Sequence, residues 1–139
     1  MDLDDEGTLS GRVMVVEDNE VNRMIAREVL FSLGVDVVEA GDGKEAIDLL
    51  DKQAVDLVLM DCEMPVMTGY EATIAIRGKE AVAGRPRLPI VALTANAFDD
   101  DAARSRTAGM DGHLAKPYTR EQLREVLARW LIASRDVRS

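Results

Sequence analysis

At 139 residues, 47 % hydrophobic and 31 % charged, the chain has the length and balance of one globular domain with its own core. No apolar run approaches the roughly 20 residues that cross a bilayer, and the acidic opening MDLDDEG is unlike a signal peptide. A formal net charge of −9 opposes contact with nucleic acid or anionic lipid, and a single cysteine, Cys62, rules out an internal disulfide. The expectation is a cytoplasmic domain with neither nucleic acid nor membrane as a direct partner.

The elements alternate along the chain. Val13–Val16 reads as a strand, and a helical pattern follows with Val21, Met24, Ile25, Val29 and Leu33 on its inward face, ended by Gly34. Val35–Ala40 is a second strand, and Asp42 caps a helix that turns Ala46, Ile47 and Leu50 inward. Leu57–Met60 is a third strand. A loop with Pro65 and Gly69 leads to a helix from Tyr70 to about Arg77, and 78–88 reads as a linker holding Gly84 and Pro86. Pro89–Thr94 is a fourth strand, 97–108 a polar helix and Gly112–Ala115 a short fifth strand. Thr119 and Gln122 then form a capping box for a last helix striped by Leu123, Val126, Leu127, Trp130 and Leu131.

Strands separated by helices long enough for right-handed crossovers predict a parallel sheet covered on both faces. Strands one, three and four are continuously apolar, as double burial demands, whereas two and five are shorter or more polar. That contrast places two and five at the edges. The fold class is therefore α/β, a flavodoxin-like, doubly wound, five-stranded parallel sheet of order 2-1-3-4-5 with five helices. In that order ligands bind beyond the carboxyl ends of strands one and three.

The chemistry-bearing residues fall on that rim: Glu17 and Asp18 after strand one, Asp61 after strand three, Thr94 after strand four, and Lys116-Pro117 after strand five. Each has a plainer reading. An acidic pair can cap a helix, an aspartate can belong to a turn, a threonine can cap, and a lysine can be a solvated charge. Their joint position favours a site. Two carboxylates about 4 Å apart repel by roughly 4 kcal/mol at an effective dielectric near 20, so three of them call for cations. All-oxygen donors suit Mg²⁺ or Mn²⁺, and a metal, an ammonium and a hydroxyl around a carboxylate meet the needs of phosphoryl transfer.

The segments Val15-Val-Glu-Asp-Asn19, Met60-Asp-Cys-Glu-Met-Pro-Val-Met-Thr-Gly69, Ala92-Leu-Thr-Ala95 and Lys116-Pro117 resemble the receiver (response regulator) domains of two-component signalling, and the likeness runs from about Arg12 to Leu131. The resemblance implies that Asp61 is the phospho-acceptor and that Asp18 binds Mg²⁺ directly, with Glu17 acting through water. It further implies that Asp61 and the backbone carbonyl of Glu63 complete the metal ligands, that Lys116 and Thr94 bind the phosphoryl group, and that Pro117 follows a cis peptide. The family's switch position, three before the lysine, usually carries Tyr or Phe; here it is His113. Glu63 and Asn96, each two residues beyond a site residue, are expected to tune the phosphoryl lifetime, and Cys62 reads as a small buried spacer.

An aspartate-nucleophile phosphatase would have two aspartates two apart after strand one, where this chain has Glu17-Asp18. A flavin or dinucleotide module would have a glycine-rich phosphate loop there, and Glu-Asp-Asn-Glu repels phosphate. A degenerate receiver that only binds protein would lack some of the five key side chains. The expected partner is a histidine kinase or histidine phosphotransfer domain. The wording of Asp61–Gly69 and of 92–97 favours a receiver from a hybrid sensor kinase, whose parent could be membrane-anchored, over a stand-alone response regulator. The domain alone would promote only its own phosphorylation and dephosphorylation, whereas a hybrid parent would be a histidine kinase. Residues 1–11 read as a linker or cloning-derived segment, 12–133 as the domain and 134–139 as a tail. The face of helix four, strand five and helix five is the expected output surface, coupled to Thr94 through His113, and is available for a homodimer.

Overall fold

Strand β1 (Arg12–Val16) lies at the middle of a twofold division of the chain: β2 (Asp36–Ala40) pairs on one side of it and β3 (Leu57–Asp61) on the other. Strands β4 (Ile90–Thr94) and β5 (Gly112–Ala115) continue outward from β3. All pairings are parallel, and the order is β2-β1-β3-β4-β5, as expected. The computed structural model describes residues 9–64, 67–95 and 99–138.

Side-chain alternation explains the two cores. Val13, Val15, Leu57, Leu59, Val91 and Leu93 face one side, where they meet Ala26 and Leu30 of α1 (Glu20–Ser32), its C-cap Leu33, and Leu123, Leu127 and Leu131 of α5 (Arg120–Arg138). Met14, Val16, Val58, Met60, Ile90 and Ala92 face the other, against α2 (Gly43–Lys52), α3 (Gly69–Ala83) and Ala108 of α4 (Asp99–Ala108). The predicted caps form. Asp42 accepts from the Glu45 amide at 2.8 Å. The Thr119 amide donates to Gln122 Oε1 at 2.9 Å, and the Gln122 amide donates to Thr119 Oγ1 at 3.0 Å.

Two local expectations need correction. Helix α1 buries Ala26, Leu30 and Leu33, while Val21, Met24 and Ile25 are 59 %, 46 % and 51 % exposed. Apolar residues stand on two faces of the helix, and the face with Ala26 and Leu30 is the one in the core, so the spacing alone did not fix its rotation. Helix α3 continues through Gly78 to Ala83 and stops at Gly84 in the left-handed region (φ 67°). Gly78 is tolerated at about 1 kcal/mol because Arg77 and Glu80 on either side are tied to the next loop. At the amino end, Leu9 packs on the core and its amide donates to Leu33 O at 3.0 Å. At the other end α5 runs to Arg138, with no Gly or Pro inside it. No described helix is long and apolar enough to cross a membrane.

Candidate functional site

The site sits where the sheet's central strands end. Asp61 closes β3 with 1 % of its surface exposed, Glu17 follows β1 at 4 %, and Asp18 beside it is open to solvent. One carboxylate oxygen from each of Glu17, Asp18 and Asp61 lies within 4.8 Å of the others. Lys116, just past β5, brings its Nζ to 3.3 Å from Asp61 Oδ1 and 3.6 Å from Glu17 Oε1. The backbone also serves the carboxylates: the Glu63 amide donates to Asp61 Oδ1 at 3.0 Å, and the Asn19 amide donates to Glu17 Oε2 at 3.2 Å. The Thr94 side chain, buried at the end of β4, completes the rim, and the Lys116 amide donates to Thr94 O at 2.8 Å.

These charges are out of balance. Burial, followed by the hydrogen bond and negative charge of Asp61, pushes the Glu17 carboxyl from its ordinary 4.5 up to about 7, against the pull of the Asn19 amide and Lys116. Burial also works against the Lys116 ammonium, but Asp61 and Glu17 outweigh it and hold its pKa above the usual lysine value. The Tyr118 phenol is likewise held above its usual value, by burial and then by Glu17. Three carboxylates face one ammonium, a deficit that matches one divalent cation, and the all-oxygen donor set suits a hard one.

The sequence profile of the response regulator receiver domain matches residues 13–128. The chain belongs to the response regulator receiver family. Sensor protein GacS of Pseudomonas syringae pv. syringae is 41 % identical over 119 residues, covering 86 % of this chain and 13 % of that protein. The receiver domain of sensor histidine kinase PA1611 from Pseudomonas aeruginosa PAO1 is also 41 % identical, with a TM-score of 0.78 over 88 % of this chain and 98 % of that one, and its structure holds a magnesium ion in the active-site cleft. The receiver domain of Saccharomyces cerevisiae Ssk1, solved with the histidine phosphotransfer protein Ypd1, is 29 % identical with a TM-score of 0.83, covering 87 % of this chain and 88 % of that one. This receiver thus spans only a small part of its curated relative's length.

Five of the expected site residues, Glu17, Asp18, Asp61, Thr94 and Lys116, converge at this rim of the receiver. The Glu63 backbone adjoins Asp61 while its side chain is exposed, and the Lys116-Pro117 peptide is cis. Cys62 is buried and takes part in no disulfide. His113 stands exposed on β5, paired in register with Ala92. Asn96 lies outside the described residues.

Three contributors went unread in the sequence. A Cβ on Gly69 would overlap the Asp61 carbonyl oxygen and come within 2.9 Å of Cys62 Cα, so only glycine lets α3 start against Asp61. Tyr118 senses Glu17. Arg23 Nη1 donates to Glu17 O at 2.7 Å and its Nε bonds Glu39 Oε1 at 3.3 Å, which braces the β1–α1 turn. The loop glycine was visible as a turn signal, but its contact with the end of β3 is tertiary.

Proposed function

We propose that Asp61 accepts a phosphoryl group from a phosphohistidine of a partner protein. Asp18 and Asp61, with Glu17 through water and the Glu63 carbonyl, are read as the ligands of Mg²⁺ or Mn²⁺. The observation that carries this reading is the buried Asp61–Glu17 pair with Asp18 within 4.8 Å and one ammonium at 3.3 Å. The bound cation would supply positive charge to the cluster and to the phosphoryl oxygens.

An Asp61 oxygen attacks phosphorus as the P–N bond breaks, and the bond pair returns to the ring nitrogen. With its other nitrogen protonated, the donor ring leaves as neutral imidazole. Lys116, already beside Asp61 Oδ1, stabilises the charge spread over the transferring group. The Thr94 hydroxyl then donates to a phosphoryl oxygen.

Helix α1 begins immediately past Glu17-Asp18, so a protein that delivers its histidine to Asp61 must cover the first turns of α1. The exposed Val21, Met24 and Ile25 suit an apolar partner surface there, and the Ypd1 complex of the Ssk1 receiver supports a histidine phosphotransfer domain as that partner. The likeness to GacS supports a hybrid sensor histidine kinase as parent, which could be membrane-anchored. The reading frame around this segment tests that: a kinase core encoded in the same frame is expected, and stop codons on both sides would refute it.

Incubation with acetyl phosphate or phosphoramidate and Mg²⁺ is expected to add one phosphoryl group by intact mass. Loss of labelling in Asp61→Asn and in excess chelator is the expected control. Equal labelling of that variant would overturn the assignment.

A further inference from the structure

At the opposite, amino-terminal edge of the sheet lies a half-open cavity of about 710 Å³, within the range of small-molecule sites. It exists because α2 ends at Lys52 while α3 overshoots to Ala83, and the left-handed turn at Gly84 then carries Arg85-Pro-Arg-Leu-Pro89 outward. Leu50, Val55, Ile76 and Leu88 make an apolar floor, and the half-buried Trp130 ring closes one side.

The polar rim is unevenly satisfied. Asp51 uses one oxygen for Arg85 at 3.0 Å and the other for Lys79 at 2.9 Å. Both Glu80 oxygens take Arg77 at 3.0 Å. Asp111 takes Arg87 at 2.9 Å and Arg77 at 2.8 Å. Every carboxylate oxygen on the rim is thus engaged. Donors are left over: the Lys52 ammonium and the Trp130 indole N–H have no partner among the described residues, and Arg87 Nη1 is unused. Lys52, Lys79, Arg85 and Arg87 face Asp51, Glu80 and Asp111, so the rim carries a net positive charge on a protein of −9. An apolar floor under surplus donors is complementary to one class of ligand.

We propose that this cavity binds an amphipathic organic anion: an apolar, ring- or chain-built body against the floor, with a single anionic head taken by Lys52, Arg87 and the indole N–H. The proposal is independent of the phosphoryl reading, because the cavity lies at the other ends of the strands from Asp61.

The probe is 8-anilinonaphthalene-1-sulfonate, with uncharged N-phenyl-1-naphthylamine as control. Trp130, the only tryptophan, reports locally by energy transfer. One saturable site is expected, with amide shifts gathered at Leu50, Ala54, Val55 and Leu88 and at the indole N–H. The uncharged probe should bind at least tenfold more weakly. Lys52→Glu should weaken the anion several-fold and leave the uncharged probe unchanged, and Ala54→Trp, which fills the cavity from an exposed position, should remove both. Neither variant should alter Asp61 labelling by acetyl phosphate. Shifts confined to Val21, Met24 and Ile25, equal affinity for the two probes, or no saturation would overturn the proposal. So would cavity signals that move with protein concentration alone, which would mean a second copy covers the cavity.

Discussion

Removing the metal should make stability fall as the pH rises through neutrality, and Glu17 should be the cause. In the folded protein its carboxyl titrates near 7 instead of 4.5, so the folded state binds a proton that the unfolded chain has released. The stability associated with that proton is fully present below pH 4.5 and is lost as the pH rises through about 7. At 1.36 kcal/mol for each tenfold change in proton affinity, a carboxyl moved from 4.5 to about 7 corresponds to about 3 kcal/mol between acid and alkaline limits. Glu17 is only 4 % exposed, so water screens little of this. Urea unfolding in chelator at pH 5.5, 7 and 8.5 reads the effect. With a slope of about 2 kcal/mol per molar urea, the midpoint should fall by about 1 M across that range.

Two controls isolate the residue. Glu17→Gln keeps the hydrogen-bonding shape without the charge, so its midpoint should stay nearly level with pH and exceed wild type at pH 8.5. Saturating Mg²⁺ should restore the wild-type midpoint there, because a cation binds the ionised cluster and not the unfolded chain. A wild-type profile as steep in Glu17→Gln as in the parent would refute the reasoning.

Arg77→Met should cost about 3–5 kcal/mol in urea unfolding, because it leaves the buried carboxylate of Glu80 without its cation and takes one of two from Asp111. Gly69→Ala should cost about 1–3 kcal/mol and slow phosphorylation at least tenfold, since the added carbon meets the Asp61 backbone; unchanged labelling kinetics would show that the loop yields freely. Glu63→Lys should change the dephosphorylation rate several-fold while Mg²⁺ affinity, read by fluorescence titration, stays within twofold, because the exposed side chain is not the proposed ligand. His113→Phe should increase the activated population under beryllofluoride, read by amide shifts at β5, because a phenyl ring enters an apolar space without needing a polar partner; identical shifts in both proteins would remove His113 from the switch.

The strands and their order were legible because double burial writes itself into Val13–Val16, Leu57–Met60 and Ile90–Leu93 as unbroken apolar runs. Once those strands are placed, the site residues follow, since each stands just past a carboxyl end. What the chain hid was rotation and contact. Val21, Met24 and Ile25 are apolar, yet outward-facing, because the face of α1 with Ala26 and Leu30 packs in the core instead, a choice made by tertiary packing. The stretch 78–83 read as a linker because Gly78 masks a helix held by Arg77 and Glu80. No local pattern announces that Arg77 is shared among Gly109 O at 2.9 Å, Leu88 O at 2.8 Å and Asp111 at 2.8 Å.

That arginine also bears on which end of the sheet can respond. It joins α3 to the residues that enter β4 and β5, where the Ile90 amide donates to Asp111 Oδ2 at 2.9 Å and the Asp111 amide to Ile90 O at 2.8 Å. The amino ends of both strands are therefore fixed to one half-buried group that bonds several partners at once. At the carboxyl ends the same strands deliver Thr94 and Lys116 into a cluster whose charges do not balance. A change of charge at Asp61 acts on groups that have alternative partners there, whereas movement at the other end would break several buried bonds at once. Displacement on phosphorylation should therefore grow along β4 and β5 from Ile90 toward Thr94 and from Gly112 toward Lys116, and amide exchange at Ile90 and Asp111 should stay slow in both states.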